Sequence, residues 1–246
     1  MRVYQFRDAD IARRIAADRR LKISTFPEMN DPFELAGVGF KASQFKIVPP
    51  PFRAHVEQLF HNSVLPALKK KVGAVCFSRG WQNPVLWAHY ADKHKGIALG
   101  FDIEESNTIE LRPTRYVPAK EVHEIGPLLD EGFGSSIDER PMEMDQFIPL
   151  FQEILGIKFK DWAYEEEVRV FAELKEEIDG MFFVDFDDRI VLSEVILGIR
   201  CPIDIAEISR DLAGYKNEIK IIKAAASETR FEVLEDVSKT VFHDPS

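Results

Sequence analysis

The chain has 246 residues and a formal net charge of −10, from 42 Asp and Glu against 32 Lys and Arg. Its 45% hydrophobic residues suffice to bury a core, which excludes a disordered chain. Two cysteines cannot staple a chain of this length, and no run of about 18 apolar residues predicts a membrane span. The acidity disfavours a charge-driven nucleic-acid binder. We therefore expect a soluble, cytoplasmic protein, and a single domain over residues 1–246 because no linker divides the chain.

The first half of the chain alternates strand and helix patterns. Apolar runs and period-two alternation predict strands over 3–6, 21–26, 73–78 and 97–102. Apolar side chains at helical spacing predict helices over 8–18, 52–71 and 83–93. Asp8 and Asn83 are residue types that cap the start of a helix, and Pro84 suits the first helical position.

The second half is richer in strand patterns. The predicted strands span 109–112, 115–117, 165–172, 181–186, 192–199, 219–224 and 231–234. The predicted helices span 143–159 and 203–212. Strands and helices do not follow a regular strand–helix–strand rhythm. The sequence therefore predicts an α+β fold, with a mixed, largely antiparallel sheet and flanking helices.

The run Asn30-Asp31-Pro32-Phe33-Glu34 predicts a tight loop after the second strand. Asn and Asp bond their own backbone in turns, and Pro presets the next turn position. One interpretation is a structural turn with Phe33 in the core. The other is a rigid loop from which Asn30, Asp31 and Glu34 contact a ligand, because binding residues concentrate on loops held by a scaffold.

An aromatic helix follows Asn83. Trp87, Tyr90 and His94 fall on one helix face, and His89 points elsewhere. The two histidines are five residues apart rather than four, so they do not form a metal pair on one face. An aromatic face is usually core, but Trp87, His89 and Tyr90 also have the polar tips and flat rings that suit a planar ligand.

The run from Trp162 to Phe171 carries the strongest functional signal. Alternation along a strand would place Glu165, Glu167 and Arg169 on one face and apolar residues on the other. This polar face is either solvated surface or the floor of a cleft. In a cleft, the two carboxylates would divide the chemical work, one stabilising positive charge and one acting as a base.

Five motifs together resemble a large family of bacterial and phage-borne proteins known only as a domain of unknown function. They are Val3–Phe6, Asn30–Glu34, Cys76–Ser78, Trp87–Gly96 and Trp162–Arg169. The last two have the patterns W-x-x-Y-A-x-x-H-x-G and W-x-x-E-x-E-x-R. Members of this family often lie near mobile or defence-related genes, so the resemblance implies a place in bacterial defence or a toxin–antitoxin system.

A second resemblance is to ADP-ribosyltransferases, which split NAD at the nicotinamide–ribose bond through an oxocarbenium-like state. In those enzymes a late Glu, often in a Glu-x-Glu pair, steadies the developing charge. The resemblance places Glu165 and Glu167 there, with Glu167 as the preferred catalytic position. It implies NAD as cofactor and an aromatic side chain stacked on nicotinamide. Trp162 is a further candidate for ligand binding. The early-strand residue would be Tyr4 or Arg7, and the middle-strand hydroxyl would come from Ser24-Thr25 or Ser78.

Two alternatives remain open. A magnesium-dependent nuclease or hydrolase would use Asp31, Glu34, Glu165 and Glu167 as oxygen ligands, which requires the two clusters to meet. A non-catalytic sensor or interaction module would bind a small ligand on its aromatic residues or use them as core. No resident metal is predicted, a small nucleotide is the expected ligand, no membrane contact is expected, and no protein or nucleic-acid target is specified. Arg169 beside the carboxylates would suit an anionic small molecule.

Overall fold

The computed structural model describes residues 1–31, 33, 38–106, 109–127, 130, 152 and 154–243. The α-helices of this part are α1 Ala9–Asp18, α2 Pro50–Leu59, α3 Leu65–Lys69, α4 Pro84–Tyr90 and α5 Ile205–Asp211. A π-helical segment joins α2 to α3, and short 3-10 helices occur at Phe26–Glu28, Lys160–Glu165 and Val237–Lys239. Across the described ranges, no helix combines the length and apolar character needed to cross a bilayer.

The strands are short and occur along the whole described chain. In the first half they are β1 Arg2–Arg7, β2 Arg20–Ile23, β3 Val38–Lys41, β4 Val72–Ser78, β5 Ile97–Ile103, β6 Leu111–Pro113, β7 Arg115–Val117 and β8 Glu121–Glu124. In the second half they are β9 Ile157–Phe159, β10 Glu167–Glu173, β11 Glu177–Ile178, β12 Met181–Asp185, β13 Ile190–Leu197, β14 Ile219–Ala226, β15 Val233–Glu235 and β16 Val241–His243.

The largest sheet in the described residues follows the order β15-β14-β13-β5-β1-β4-β10-β6, with β16 also paired to β14. Only β13 and β14 pair in parallel within this sheet, and its other described pairings are antiparallel. The prediction of an α+β fold around a mixed, largely antiparallel sheet is confirmed.

The two predicted helix caps are present. Oδ1 of Asp8 accepts a hydrogen bond from the Ile11 amide at 2.9 Å, and Oδ1 of Asn83 accepts one from the Val85 amide at 2.9 Å. These bonds satisfy amides that have no partner within the helix. The Asn83 cap fixes where α4 begins, and α4 supplies one wall of the cavity described below.

Two predicted helix ends are wrong. The helix expected to reach residue 93 ends at Tyr90, because residues 92–94 adopt positive φ angles. The helix expected over 143–159 gives way to strand β9 at Ile157–Phe159. Most of that predicted helix lies outside the described residues. The apolar spacing continued past the true end, so the sequence alone did not mark the change to a strand.

β1 and β4 separate shortly after they meet. Their register contains one residue pair, Tyr4 with Ser78, whereas β1 pairs with β5 along its whole length. Further along β4, the position opposite Ala74 is taken by Ser24, which exchanges two backbone hydrogen bonds with it at 2.9 and 3.0 Å. The sheet is therefore open between β1 and β4, and the loop after β2 lies beside the opening.

Gly96, the last residue of the W-x-x-Y-A-x-x-H-x-G motif, lies where two backbone segments meet. A Cβ atom there would lie 2.1 Å from the backbone oxygen of Arg7. The Gly96 amide donates to the carbonyl of Ala91 at 2.8 Å, and its carbonyl accepts from the Gly198 amide at 3.0 Å. Glycine is needed here for close approach, and it holds the end of the α4 segment against β1.

Candidate functional site

A cavity of about 190 Å³ fills the opening between β1 and β4 and is partly open to solvent. Its lining residues come from β1, the loop after β2, β4, α4, β9 and the segment that enters β10: Tyr4, Gln5, Phe6, Arg7, Ser24, Glu28, Met29, Asn30, Cys76, Phe77, Ser78, Leu86, Tyr90, Lys158, Glu165 and Glu167. Small-ligand sites combine apolar and aromatic walls with a few convergent polar groups, and this cavity combines Phe6, Phe77 and Leu86 with several polar side chains. It brings together parts of all three clusters noted in the sequence.

A buried charge network forms one wall. Nζ of Lys158 lies 2.6 Å from Oε2 of Glu165 and 3.1 Å from Oε2 of Glu167. The Arg169 guanidinium donates to both oxygens of Glu167, at 3.0 and 2.9 Å. All four side chains are less than 8% exposed. Buried charges of this kind persist only when each has a partner, so the two cations and two carboxylates hold one another in place.

The two carboxylates differ in how they are compensated. Burial alone would raise the pKa of Glu167, but the charges of Arg169 and Lys158, with a hydrogen bond from Arg169, outweigh it and lower that pKa to about 2. Glu165 contacts one cation, and its Oε1 accepts a hydrogen bond from the Tyr90 hydroxyl. Glu167 is thus held as an anion by two cations. Glu165 has one cation as partner, and its second oxygen accepts from the neutral hydroxyl of Tyr90.

The low pKa of Glu167 predicts a pH dependence of stability. The pKa is depressed from 4.5 to about 2 in the folded protein, so this carboxylate stabilises the fold fully above about pH 4.5. That contribution is lost as the pH falls towards 2. Glu167→Gln should be less stable at pH 7, and its free energy of unfolding should fall less steeply between pH 4.5 and 2. Urea unfolding across this range measures the slopes, and equal slopes would contradict the assignment.

The alternation pattern predicted Glu165 on the strand, but the structure places it before the strand begins. It ends the 3-10 helix Lys160–Glu165, and Glu166 then adopts φ 44°, so β10 begins at Glu167. The Ser78 hydroxyl donates to the backbone oxygen of Glu165 at 2.7 Å and anchors this turn to β4. The turn brings the Glu165 side chain to the cavity from a different direction than Glu167. Of the two interpretations of this polar face, the solvated surface is wrong, because both carboxylates are buried and line the cavity.

Tyr90, Asn30 and Tyr4 bring three separate segments to the cavity. The Asn30 amide donates to the Tyr90 hydroxyl at 2.7 Å, and that hydroxyl donates to Glu165. Burial and the Glu165 bond raise the pKa of Tyr90 above its ordinary value, so it stays protonated at neutral pH. Tyr4 donates to Oε2 of Glu194 at 3.0 Å, and burial, then Glu194, raises its pKa to about 12.

Several predicted ligand-binding residues do not reach the cavity. Trp87 is fully buried, packs edge-on against Phe6 and donates to the Trp81 carbonyl at 2.6 Å, so it is a core residue. Arg169 is fully buried and committed to Glu167. Asp31 is buried and does not line the cavity, and its Oδ1 accepts a hydrogen bond from the Phe33 amide at 2.9 Å, as expected of a structural turn. Phe33 itself is 64% exposed, so the expectation that it lies in the core is wrong.

The remaining predicted positions fall into three groups. Ser24 lines the cavity. His89 and Trp162 lie beside the cavity wall, where the exposed His89 ring contacts the edges of Trp162 and Tyr164. Nζ of Lys158 lies 5.0 Å from the centre of the Trp162 ring, which links this aromatic group to the charge network. Glu34 lies outside the described residues.

Sequence reasoning missed Lys158 and Tyr116. Lys158 was assigned to the end of a helix, although Ile157-Lys158-Phe159 has the apolar–polar–apolar alternation of a strand. The Tyr116 hydroxyl accepts a hydrogen bond from the Glu167 amide at 2.8 Å and supports the start of β10. No pattern around Tyr116 indicates this contact, because it depends on a pairing between distant segments.

The described part of the chain contains no group of three or more His, Cys, Asp or Glu side chains arranged to hold a metal ion. The magnesium alternative required Asp31 and Glu34 to join Glu165 and Glu167. Asp31 does not line the cavity, and the oxygens of Glu165 and Glu167 that face the network already contact cationic side chains. Nothing in the described geometry supports that alternative.

The comparisons with known proteins agree with one of the two resemblances. Residues 86–170 match the profile of a family described as "Protein of unknown function (DUF2971)". The match supports the resemblance to a family known as a domain of unknown function. It covers about a third of the chain, from α4 to Val170, and includes Tyr90, Lys158, Glu165 and Glu167. No curated protein and no solved structure matches the chain.

Proposed function

We propose that the protein is an NAD-using enzyme of the ADP-ribosyltransferase type, with the cavity between β1 and β4 as its active site. The carrying observation is a row across three adjacent strands. Tyr4 on β1 lies opposite Ser78 on β4, and Ser78 lies opposite Glu167 on β10. Directly opposite residues of antiparallel strands project to the same face. An early aromatic residue, a middle hydroxyl and one member of the Glu-x-Glu pair therefore line one cavity. Glu165, the other member, lines the same cavity from the turn before β10.

The cavity volume favours part of a dinucleotide over the whole. About 190 Å³ suits a group the size of one ring, since an engineered cavity of about 150 Å³ in another protein holds benzene. We place the nicotinamide and the adjoining ribose carbon in the cavity, with the rest of NAD extending through the open side. The exposed ring of His89 and the half-buried ring of Trp162 lie beside that wall and offer a stacking surface to a second ring.

We assign the charge-stabilising role to Glu165 rather than to Glu167, the position that the resemblance favoured. Cleavage of the nicotinamide–ribose bond sends the bonding electrons to nicotinamide and leaves positive charge on the ribose. A carboxylate placed beside that carbon stabilises the charge. Glu167 already faces the two cations Lys158 and Arg169, so much of its charge is compensated. Glu165 faces one cation and a tyrosine hydroxyl, so more of its charge remains for the substrate.

The test is release of nicotinamide from NAD by the purified full-length chain. We expect time-dependent release in proportion to enzyme concentration, with ADP-ribose as co-product when water is the acceptor and a labelled target when a suitable acceptor is present. The use of an acceptor and a setting in bacterial defence are part of this proposal, and both rest on the resemblances alone. Absence of release with water and with a bacterial lysate as acceptor source would contradict the enzymatic proposal.

A non-catalytic ligand sensor is the second candidate. One observation favours it: both oxygens of Glu167 are held by Arg169, an arrangement suited to binding without reaction. The same assay separates the two, combined with calorimetric titration of NAD. Saturable binding of NAD without release of nicotinamide supports the sensor, and binding with release supports the enzyme.

A further inference from the structure

The β1 side of the cavity contains two polar groups that the proposed reaction does not use. They are the guanidinium of Arg7 and the side-chain oxygen of Gln5, which belong to the same strand and alternate to the same face. Both residues line the cavity. Within the described chain, Arg7 has no carboxylate partner and the Gln5 oxygen has no hydrogen-bond donor.

Arg7 is a cation without a carboxylate partner. Its guanidinium donates to the neighbouring carbonyl of Phe6 at 3.3 Å, and none of the described Asp or Glu side chains lies within 4.0 Å of it. Burial lowers the pKa of Arg7, and the nearby Cys76 and Asp8 offset this only in part. By contrast, Lys158 and Arg169 are both paired in the charge network. Arg7 is therefore the cavity cation that has no ion-pair partner among the described residues.

Gln5 supplies an unused acceptor. It is 2% exposed, and its Nε2 donates to the Cys76 carbonyl at 3.4 Å, bridging the opening where β1 and β4 no longer pair. Its Oε1 is buried and accepts no hydrogen bond from the described residues. A buried oxygen without a donor is unfavourable, so a partner from outside the chain is expected at this position.

We propose that this side of the cavity binds an oxyanion on Arg7, from a ligand that also donates a hydrogen bond to Oε1 of Gln5. The planar guanidinium suits two oxygens of a phosphate or carboxylate at once. The adjacent acceptor selects ligands with a hydroxyl or amine next to the oxyanion. These contacts belong to the cavity in which we place the NAD-cleaving groups, but they use neither Glu165 nor the row through Glu167. Oxyanion binding and NAD cleavage can therefore be tested separately.

The experiment measures the thermal unfolding midpoint of the full-length protein against increasing inorganic phosphate or acetate, at constant ionic strength with chloride. A ligand that binds the folded state raises the midpoint in a saturable way. We expect this response in the wild type. A larger response to phosphate indicates that the natural ligand carries a phosphate, and a larger response to acetate indicates that it carries a carboxylate. No response to either ion would overturn the proposal.

Two variants locate the site. Arg7→Gln should weaken the apparent affinity by about 30-fold or more, the range for loss of one partner of a buried charge pair. Arg14→Gln, which removes an exposed arginine of α1, should respond as the wild type does. An unchanged response in Arg7→Gln overturns the assignment. If Arg7→Gln does not fold, Arg7→Lys keeps the charge but loses the paired donors, and a wild-type response from it overturns the paired geometry.

The Gln5 half has its own test with ribose 5-phosphate, which carries hydroxyl donors next to a phosphate. Gln5→Met should weaken ribose 5-phosphate by about tenfold and leave inorganic phosphate nearly unchanged, because only the former offers a donor to Oε1. Equal effects on both ligands would overturn the role of Gln5. This outcome is distinct from a failed NAD assay, which would leave oxyanion binding intact.

Discussion

Glu165→Gln is expected to slow nicotinamide release by about 10²- to 10³-fold, the usual effect of removing one group that stabilises charge in the transition state. Glutamine preserves the shape and the acceptor for Tyr90 but carries no negative charge. Lys158 keeps Glu167 as a partner, so the charge network is not left with an unpaired cation. The fold should therefore survive, and the loss should appear in kcat.

Glu166→Gln is the matched control for this experiment. Glu166 is the next residue, is exposed and lies between the two carboxylates in sequence, yet it does not line the cavity. Its substitution should leave the rate within twofold of the wild type. Circular dichroism and urea unfolding check that both variants are folded. Equal rates for Glu165→Gln and the wild type would remove Glu165 from the mechanism and return the role to Glu167.

Arg169→Met is expected to lower the free energy of unfolding by about 3–5 kcal/mol, the range for removing one partner of a buried ion pair. Methionine fills most of the volume, so the loss is mainly electrostatic. It leaves Glu165 and Glu167 to share the single charge of Lys158 in a buried site. It also removes the guanidinium donor from the Leu155 carbonyl, 2.5 Å away, which ties β10 to the segment before β9.

Arg112→Met gives the matched comparison on the same sheet. Arg112 lies directly opposite Arg169 on β6, but it is partly exposed and pairs with Glu110 at the surface. Surface pairs contribute about 0–1 kcal/mol, so this variant should be close to the wild type. The double change Arg169→Met with Glu167→Met should recover part of the stability lost in Arg169→Met, because no unpaired charge then remains at Glu167. No recovery would mean that packing, not charge, sets the cost.

The sequence predicted the local features of the fold better than the geometry of the site. The Asp8 and Asn83 caps and the apolar strand at β4 follow from residue type and spacing, because each acts within a few residues. The pairing of distant segments does not follow from residue type and spacing. Lys158 meets Glu165 and Glu167 only because a strand replaces the predicted end of a helix and a 3-10 turn precedes β10.

Residues that were expected to bind a ligand have another role where the structure buries them. Trp87 and Arg169 have the side chains of a ligand site, but each completes its contacts inside the protein. The sequence indicates Arg7 only through the resemblance and does not single out Gln5, yet each has a polar group at the cavity that the described chain leaves incompletely bonded. Alternation assigns a residue to a face of a strand. It does not predict which faces the rest of the chain will cover, and that coverage decides which polar groups remain for a ligand.

The separation of β1 from β4 also bears on aggregation. A sheet that opens in its middle acquires two further strand edges, and an exposed edge is a template for pairing with another chain. Here Ser24 pairs with β4, and the Gln5 side chain bridges from β1 to Cys76. These edges therefore lie inside the molecule, where a small ligand can enter and a strand of another protein cannot. The opening between β1 and β4 therefore adds no free strand edge for edge-to-edge assembly.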